Sequence, residues 1–360
     1  MNLRFEYTEN NHFKWGFGDE WYNHPDPEKQ YKIQLGYVTR PVKRFREECI
    51  ITAKLIASKA TKPICIGLSG GSDSQMACLA FREAGIPFKV VILSMFDEEG
   101  NNVNDHDIKT AFAFCEKYNI EYIIFPLNID EFYQTKGAEY AAKYGLTGVH
   151  TIIQCATMDF ICPDYCYIMA GGDVVMVPYR KYVTPDLEIP TYDWDPTLNK
   201  LVWWQAPLPI MQHMMEMGYE GTSKFYLYTP EIIASYLTDP TVTEFLAVQD
   251  IVYEVYVRWH PQVRMWWRLF HMLYKPLMTQ REWPEMIPAR KYTGFEQLQG
   301  KNFNSGKELI FQRHIDVAAA GKTLGQVVVT TIPDLIEYVT KPHTHSLVAT
   351  RKPPKDEYIK

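Results

Sequence analysis

One stretch, residues 64–74, constrains the fold of this chain most, because it joins a short apolar run to a helix through a Ser-Gly-Gly turn. Apolar residues follow at helical spacing from Met76, and Gly85 supplies a helix stop. Gly70 and Gly71 let the backbone pass close to a ligand. The helix then directs free N–H groups and the positive end of its dipole at that ligand. The stretch therefore predicts an anion-binding loop.

Polar side chains accompany the glycines in this turn. Ser69, Ser72 and Ser74 supply hydroxyl donors that suit an anion. Asp73 is an acid beside a predicted anion site, and a Mg²⁺ ion between its carboxylate and phosphate oxygens resolves that conflict. An ordinary strand-to-helix turn without a ligand is the structural alternative.

The order Ser-Gly-Gly-Ser-Asp-Ser at residues 69–74 resembles the SGGxDS signature of the PP-loop ATP pyrophosphatases. The resemblance implies an enzyme that splits ATP between its α and β phosphates, holds pyrophosphate in the loop and transfers AMP to a substrate oxygen. It implies ATP and Mg²⁺ as cofactors, with Asp73 as a catalytic residue and metal ligand. The Walker P-loop is a poorer match, because no Gly-Lys-Ser/Thr follows the turn. The residues that the resemblance assigns to nucleotide binding are Ser69, Gly70, Gly71, Ser72, Asp73 and Ser74.

Strands and helices alternate after the loop. Residues 88–96 and 121–127 are apolar, β-rich runs that predict buried strands. Between them, Asn104 or Asp105 is expected to cap a helix with one apolar face. This alternation predicts an α/β fold with a doubly wound parallel sheet and right-handed connections. The family resemblance implies the adenine nucleotide alpha-hydrolase-like (HUP) type of that fold, followed by a C-terminal helical region.

The carboxyl ends of the predicted strands locate the rest of the nucleotide. Ligands of a doubly wound sheet bind beyond these ends. We therefore expect the adenosine to lie at the end of the second strand, against Leu93, Ser94 and Met95.

A fourth strand is predicted near residues 167–170, and Gly171, Gly172 and Asp173 follow it at the same sheet edge. The two glycines allow close approach to the nucleotide, and Asp173 is a candidate second Mg²⁺ ligand. A turn aspartate without a ligand is the alternative. The segment is similar to a glycine-rich, acidic segment in the synthetase domain of asparagine synthetases.

Residues 275–295 are similar to the same family, whose domains carry Lys-x-Leu, then Pro, then Arg-x-Lys-x-Gly-Phe. The resemblance implies that Arg290 or Lys291 stabilises the charge that builds as AMP or pyrophosphate departs. This chain has two residues between Lys291 and Gly294 where the family has one. A surface pair without a role is the alternative for these two basic residues.

Together the resemblances imply an AMP-forming ligase. A carboxylate or amide-type oxygen attacks the α-phosphorus, and ammonia or an amine then displaces AMP. Asparagine synthetases make ammonia in an N-terminal glutaminase domain whose nucleophile is a cysteine at the chain start. Position 2 here is Asn, so we expect that domain to be absent. The amine then comes from free ammonia, an ammonia-supplying partner or the substrate itself.

Composition restricts the setting of this chemistry. The 360 residues are 46% hydrophobic and 14% aromatic, which is typical of a packed globular protein. A net charge of −6 gives no bulk attraction to nucleic acid. The seven cysteines lack secreted-type spacing, and no run approaches the ~20 apolar residues of a membrane span. The first residues are too polar for a signal peptide. We therefore expect a cytoplasmic protein without a membrane partner.

Two alternatives remain open at this stage. Cys155, Cys162 and Cys166 leave room for ATP-dependent sulfur transfer, either tRNA thiolation or a sulfonucleotide reductase-like reaction. Nucleic acid is a partner only under thiolation. Their spacing is not the CxxC pair of many thiolases, and free cysteine is commonly a core residue. An inactive ATP-binding structural or regulatory protein is the alternative of another class, which the intact Ser69, Asp73 and Ser74 oppose.

The predicted organisation has four parts. Residues 1–60 form an N-terminal extension and a leading helix, and residues 61–200 form the nucleotide-binding α/β domain. Residues 201–340 form a mainly helical substrate-side region, and residues 341–360 form a flexible tail.

Overall fold

The structure is a computed structural model. It describes residues 13–23, 28–144, 149–170, 180–182, 191–193, 200–203, 207–244, 247, 275–288 and 327–350. The helices are α1 (Phe45–Lys59), α2 (Ser72–Glu83), α3 (Asp105–Tyr118), α4 (Ile129–Gln134), α5 (Lys136–Tyr144), α6 (Val149–Ile161), α7 (Pro207–Met217), α8 (Pro230–Leu237), α9 (Lys275–Glu282) and α10 (Ile332–Thr340). The strands are β1 (Lys14–Phe17), β2 (Tyr31–Gln34), β3 (Ile64–Gly67), β4 (Phe88–Phe96), β5 (Tyr122–Asn128), β6 (Cys166–Ile168), β7 (Arg180–Tyr182), β8 (Thr191–Asp193), β9 (Lys200–Trp203), β10 (Gly221–Thr222), β11 (Val327–Thr331) and β12 (Leu347–Thr350).

A five-stranded sheet carries the loop of residues 69–74 at its centre. Its order is β10-β6-β3-β4-β5, and each neighbouring pair is parallel. From β3 the chain passes through α2 to β4 and through α3 to β5, and it then returns through α4–α6 to β6 on the other side of β3. The direction of winding therefore reverses between β3 and β6. The predicted doubly wound α/β fold is confirmed.

The central strands of this sheet are buried on both faces, as expected for strands of a parallel sheet. The edge strand β5 exposes Tyr122 and Ile124, so the buried strand predicted at residues 121–127 is only partly buried. Ile66, Val90 and Ile92 pack into one apolar cluster with α1, α2, α3 and α8. Cys65 and Val91 point to the opposite face, where they join a second cluster built largely from α4–α7. Successive residues of a strand face opposite sides, so continuous apolar runs were needed to fill both clusters. The same runs identified β4 and β5 in the sequence.

A second sheet, which the sequence did not predict, joins the two ends of the chain. Its order is β1-β2-β12-β11-β9, and its pairs are antiparallel. In this sheet Ile33 lies opposite Leu347. Residues 347–350 therefore form a strand rather than part of a flexible tail, and the region predicted to be mainly helical also contributes β9 and β11. The sequence did not indicate these strands because each is short, and the pairs β2–β12 and β9–β11 join residues far apart in the sequence.

No helix within the described ranges is both long and apolar enough to cross a membrane.

The leading helix predicted before the loop is present as α1. Its buried residue Glu48 has no exposed surface and is paired with Arg40, which is 34% exposed. The guanidinium donates to both carboxylate oxygens, with Nη1 and Oε1 2.7 Å apart. Glu48 also accepts the Lys43 backbone N–H at 2.7 Å.

The Arg40–Glu48 pair gives a stability prediction. Removing one partner of a buried ion pair costs ~3–5 kcal/mol, and the partial exposure of Arg40 reduces this. We expect Arg40→Met to lower the free energy of unfolding by about 2–4 kcal/mol in urea denaturation. The double variant Arg40→Met/Glu48→Met is expected to recover part of that loss. A change within ~0.5 kcal/mol for the single variant would mean that the pair acts like an ordinary surface pair.

Candidate active site

A cleft of about 320 Å³ opens at the carboxyl edge of the parallel sheet. Its walls come from the loop after β3, the end of β4, α3, α6 and the residues that follow β6. This is the position where the winding of the sheet reverses, which is the usual ligand position in such folds. The structure thus brings the loop predicted to bind pyrophosphate and the strand end predicted to bind adenosine into one cleft.

The loop after β3 has a backbone shape that requires glycine. Gly70 has φ +76°, in the left-handed region. A Cβ atom at Gly70 would lie 2.8 Å from the Asp107 carbonyl oxygen of α3, closer than real Cβ atoms approach. Helix α2 begins two residues later at Ser72. The loop is therefore pressed against α3, and its open side is the N-terminus of α2.

Serine side chains fix the loop from inside. The Ser74 hydroxyl is buried, donates to the Gly71 carbonyl at 3.0 Å and accepts the Ser69 backbone N–H at 3.3 Å. The Ser69 and Ser74 oxygens are 3.3 Å apart, and the Gly71 N–H lies 3.4 Å from the Ser69 oxygen. Ser69 itself is exposed. Hydrogen bonds of this length are weak. The Ser69 hydroxyl and the Gly71 N–H can therefore donate to a stronger acceptor instead.

Two carboxylates line the cleft near the loop. Asp73 belongs to the first turn of α2, and Asp107 belongs to the first turn of α3. The Asp73 backbone carbonyl accepts the Tyr226 hydroxyl at 2.5 Å, which ties this turn to the residues after β10. Among the described residues that line the cleft, none is Lys, Arg or His. An anion here is therefore balanced by backbone N–H groups, by the helix dipole and by any cation that the carboxylates hold.

The donor set fits Mg²⁺. This ion is usually bound through one or two carboxylates and substrate phosphates, and it keeps several waters. Asp73 and Asp107 supply carboxylates beside a predicted phosphate site. The described part of the chain contains no cluster of three or more His, Cys, Asp or Glu side chains suited to a metal. The residues present therefore suit a metal ion that binds together with phosphate better than one held by protein ligands alone.

The end of β4 contributes two of the three residues predicted there. Leu93 and Met95 line the cleft. Ser94 is not part of the described wall, and its hydroxyl instead accepts the Asn102 side-chain amide at 3.1 Å. The cleft is apolar along this strand, where Val91 and Ile108 also line it.

Asn104 was expected to cap α3, and the structure gives its side chain a different role. It occupies the N-cap position without a capping bond. Its amide donates to the Leu93 carbonyl at 2.8 Å and accepts the Met95 backbone N–H at 2.8 Å. The buried carboxamide thus closes the edge of β4 beyond the point where β3 turns away. The Leu93 carbonyl and the Met95 N–H could form hydrogen bonds to a nucleotide base only if the Asn104 side chain moved away from them.

The remaining predicted site residues lie outside the described residues. These are Gly171, Gly172, Asp173, Arg290 and Lys291. Met169 and Ala170, the last described residues before Gly171, line the cleft. The roles assigned to these five residues stay predictions.

Several cleft residues escaped sequence reasoning. Gln154 and Thr157 of α6 form part of its wall, as does Tyr167 of β6. The Tyr167 hydroxyl lies where a side chain on Gly67 would stand, 2.5 Å from an added Cβ, and burial raises the pKa of Tyr167. The glycine at the end of β3 was the one available signal for this tyrosine. Nothing local in α6 distinguishes Gln154 and Thr157 from other helix residues.

The cysteines lie within the core. All seven are free and buried. Burial raises the pKa of Cys65 and Cys166 to about 12 and that of Cys115 to about 11. Burial also raises the pKa of the other four thiols, Cys49, Cys78, Cys155 and Cys162. Reactive cysteines are thiolates in exposed, electropositive surroundings. These seven thiols are buried instead, and their raised pKa values keep them protonated.

Comparison with known proteins agrees with the loop signature. The NAD synthase family model matches residues 45–148, which include β3, the loop, α2, β4, α3 and β5. The chain is 25% identical over 174 residues to the tRNA-specific 2-thiouridylase MnmA 2 of Phocaeicola vulgatus. That alignment covers 44% of this chain and 45% of the relative, so the chain spans about half the length of the curated relative it matches.

Solved structures resemble the chain only weakly. NMN synthetase from Francisella tularensis has 18% identity, covers 34% of this chain and 52% of its own, and has a TM-score of 0.26. NH3-dependent NAD synthetase from Campylobacter jejuni has 15% identity, coverage of 69% and 98%, and a TM-score of 0.31. The U34-tRNA thiolase NcsA from Methanococcus maripaludis has 15% identity, coverage of 69% and 83%, and a TM-score of 0.29.

Gly70 provides a test of the loop geometry. Gly70→Ala places a Cβ at positive φ and against the Asp107 carbonyl, so the loop must shift. We expect at least a tenfold weaker binding of ATP by calorimetry, which corresponds to about 1.4 kcal/mol.

Gly85→Ala is the matched control for that variant. Gly85 also has positive φ, +72°, but an added Cβ would meet nothing within 4 Å. Both variants carry the left-handed strain of about 1–2 kcal/mol, and only Gly70→Ala disturbs the loop. Equal ATP affinity in the two variants would contradict a ligand role for the loop.

Proposed function

We propose that the protein is an ATP-dependent, AMP-forming ligase, because its loop at residues 69–74 resembles the PP-loop signature and the NAD synthase family model matches residues 45–148. It adenylates a carboxylate or amide-type oxygen and passes the activated group to ammonia or an amine. One observation carries this proposal: the loop of residues 69–74 opens into the cleft at the carboxyl edge of the parallel sheet. A strand, a glycine turn and a helix N-terminus form a site for phosphate there.

The polarity of the cleft supports an orientation for ATP. The β and γ phosphates lie against the loop, where Gly71 and Ser72 open the N-terminus of α2. The adenosine lies along the end of β4 against Leu93 and Met95. This arrangement leaves the α-phosphorus between the two ends of the cleft, which is where an acceptor oxygen must reach it.

Asp73 and Asp107 are the carboxylates that would hold Mg²⁺ in this arrangement. When bound, the ion supplies charge neutralisation for the phosphate oxygens. Asp173 is a further candidate ligand by sequence. Because no basic side chain is among the described cleft residues, the carboxylates can serve phosphate only through a cation.

The chain's own groups account for the cleavage step. The acceptor oxygen attacks the α-phosphorus, the bond between the α-phosphorus and the bridging oxygen breaks, and pyrophosphate leaves. The loop N–H groups and the dipole of α2 stabilise the negative charge on the leaving pyrophosphate, as preorganised donors do in other active sites. Ser69 and Ser72 add hydroxyl donors at the loop's open side. The loop thus lowers the barrier by stabilising the charge that develops on the leaving group.

The second half-reaction rests on resemblance. The NAD synthase match suggests an ATP-using, amide-forming ligase, and asparagine synthetase-like chemistry is the specific form that we propose. Arg290 and Lys291 are the candidates to steady the departing AMP or pyrophosphate. The nitrogen comes from free ammonia, an ammonia-supplying partner or an amine on the substrate.

Sulfur transfer remains the second candidate, because the matched relative is a tRNA-specific 2-thiouridylase. The buried cysteines with raised pKa values oppose it, since a sulfur-carrying cysteine must react as a thiolate. An inactive ATP-binding protein is opposed by the intact loop geometry, in which Gly70 adopts the left-handed turn and the Ser74 hydroxyl donates to the Gly71 carbonyl.

Product analysis tests the proposal. The protein is incubated with Mg²⁺ and ATP labelled at the α-phosphate, with and without a small-molecule extract, and the products are separated. We expect labelled AMP and unlabelled pyrophosphate, with hydroxylamine trapping an acyl adenylate where the acceptor is a carboxylate. Labelled ADP would contradict the proposal. The second candidate is tested in a parallel incubation with tRNA and a labelled sulfur donor, where transfer of labelled sulfur to tRNA would support it. No turnover despite ATP binding would support an inactive protein.

Asp73→Asn tests the metal role. Removing the charge of a Mg²⁺ ligand weakens stabilisation of the pyrophosphate, and we expect release to slow by about 10²–10³. The melting temperature should change little, because a partly exposed loop acid contributes little to folding. Asp105→Asn is the control, since Asp105 pairs with Lys109 on the exposed face of α3 and is not among the cleft residues. Wild-type turnover by Asp73→Asn would exclude the acid as a metal ligand in catalysis.

Lys291→Ala tests the proposed transition-state contact. A lysine that meets a departing pyrophosphate matters most as charge develops, so we expect a lower rate of AMP transfer with only a modest change in ATP affinity. Single-turnover kinetics and equilibrium binding separate the two. Equal losses in rate and affinity would remove Lys291 from the transition state, and no loss would make it a surface residue.

A further inference from the structure

Gln75, on the first turn of α2, uses all the hydrogen-bonding groups of its carboxamide. The residue has no exposed surface. Its Nε2 donates to the Gly70 carbonyl at 2.8 Å and to the Ile287 carbonyl at 2.9 Å. Its Oε1 accepts the Ile287 backbone N–H at 2.9 Å. One side chain therefore joins the loop of residues 69–74 to a segment more than 200 residues later, since Gln75 and Ile287 are 212 positions apart.

The bond to Gly70 fixes the orientation of a peptide plane. In a trans peptide the C=O and the following N–H point in opposite directions, and none of the described peptide bonds is cis. Because the Gly70 carbonyl points inward to Gln75, the Gly71 N–H points outward to the side of the exposed Ser69. A flip of this plane would turn a carbonyl oxygen to the phosphate site. A Gly-Gly peptide resists such a flip poorly.

The segment that holds Gln75 is itself anchored on three helices. The Trp283 indole donates to Glu83 of α2 at 3.1 Å. The Glu285 carbonyl accepts from Tyr118 of α3 at 2.7 Å and from Lys117 at 2.5 Å, and its carboxylate pairs with Arg46 of α1 at 3.2 Å. We call residues 283–288 the docking segment. Its contacts lie behind the loop and outside the cleft wall.

We infer that Gln75 is the positioning residue that orients the Gly70–Gly71 peptide for phosphate and makes that orientation depend on the docked position of residues 283–288. The inference rests on the proposed function, because it presumes that the loop receives the pyrophosphate moiety. Gln75 acts through the loop backbone, since its side chain is turned away from the cleft. The docking segment thereby influences the orientation of the loop backbone, although none of its residues lines the cleft.

This arrangement couples two equilibria. Phosphate on the Gly71 N–H favours the peptide orientation in which Gln75 holds Ile287, and the docked Ile287 favours the orientation that accepts phosphate. Coupling of this kind is reciprocal. Pyrophosphate binding should therefore protect the Ile287 amide from exchange, and undocking of the segment should weaken pyrophosphate binding by the same factor.

Two variants at Gln75 and one control test the inference. Gln75→Leu replaces the carboxamide by a shorter, branched apolar side chain and removes all three bonds. Gln75→Glu keeps an acceptor for the Ile287 N–H but removes both donors. Tyr118→Phe removes an anchor of the same segment without touching the loop. We expect both Gln75 variants to lower pyrophosphate release about tenfold or more, given that loss of one preorganised donor costs about 10²–10³, and Tyr118→Phe to retain wild-type turnover.

Hydrogen exchange of the full-length protein distinguishes a positioning role of Gln75 from a purely structural one, because only positioning links protection of the segment to pyrophosphate binding. With Mg²⁺ and inorganic pyrophosphate as the probe, peptides covering residues 69–75 and 283–288 should both become protected in the wild type and in Tyr118→Phe. In Gln75→Leu and Gln75→Glu, the segment should exchange at the same rate with and without pyrophosphate. If a Gln75 variant does not fold, the wild-type measurement still decides.

The outcomes separate this inference from the proposed function. Protection of residues 69–75 without any change in residues 283–288 of the wild type would overturn the inference and leave the proposed function standing. Equal losses of turnover in Tyr118→Phe and Gln75→Leu would reduce Gln75 to an ordinary anchor and overturn it as well. No protection of residues 69–75 by pyrophosphate or ATP would count against the proposed function itself.

Discussion

The left-handed backbone of Gly70 is the constraint on which the candidate site depends. Its φ of +76° turns the chain from β3 into α2 within a few residues, and only the absence of a Cβ lets α3 approach the turn. The close contact between Gly70 and the Asp107 carbonyl brings α3 to one side of the cleft. Asp107 and Ile108 consequently line the same space as the loop. The turn, the helix N-terminus and the opposite wall thus follow from one residue.

Charge balance in the cleft gives the chemistry its direction. The described walls carry two carboxylates and no basic side chain, so they repel a bare polyphosphate. The N-terminus of α2 attracts phosphate, and the carboxylates attract a divalent cation. A site of this composition favours a metal–phosphate complex over either component alone.

Local patterns in the sequence were sufficient for the parallel sheet and the loop. Continuous apolar runs predicted β4, which is buried on both faces, and also β5, although that edge strand exposes Tyr122 and Ile124. Two adjacent glycines followed by Ser72 and Asp73 predicted the turn into α2. Long-range pairing was not predictable in the same way. Strand β12 is four residues long and pairs with β2 near the other end of the chain, so neither strand carries enough pattern to identify the other.

In the candidate site too, local sequence patterns predicted some residues, whereas those that depend on long-range contacts were missed. Ser69, Gly70 and Asp73 were predicted as site residues from the motif itself, and all three line the cleft. Asn104 was read as a helix cap, and only the folded chain shows that its amide is taken up by the Leu93 and Met95 backbone. Gln75 directly follows the motif, yet its partner Ile287 lies in a segment whose docking depends on tertiary contacts. Side chains that act by joining distant backbones leave no periodic signal.

A crystal structure with Mg²⁺ and α,β-methylene-ATP tests the central claim most directly, because this analogue cannot be split between its α and β phosphates. The account predicts the β and γ phosphates within hydrogen-bonding distance of the Gly71 and Ser72 backbone N–H groups, and a metal ion between them and Asp73. The adenosine should lie against Leu93 and Met95. A triphosphate bound away from residues 69–74, or a reversed nucleotide with its base at the loop, would contradict the account.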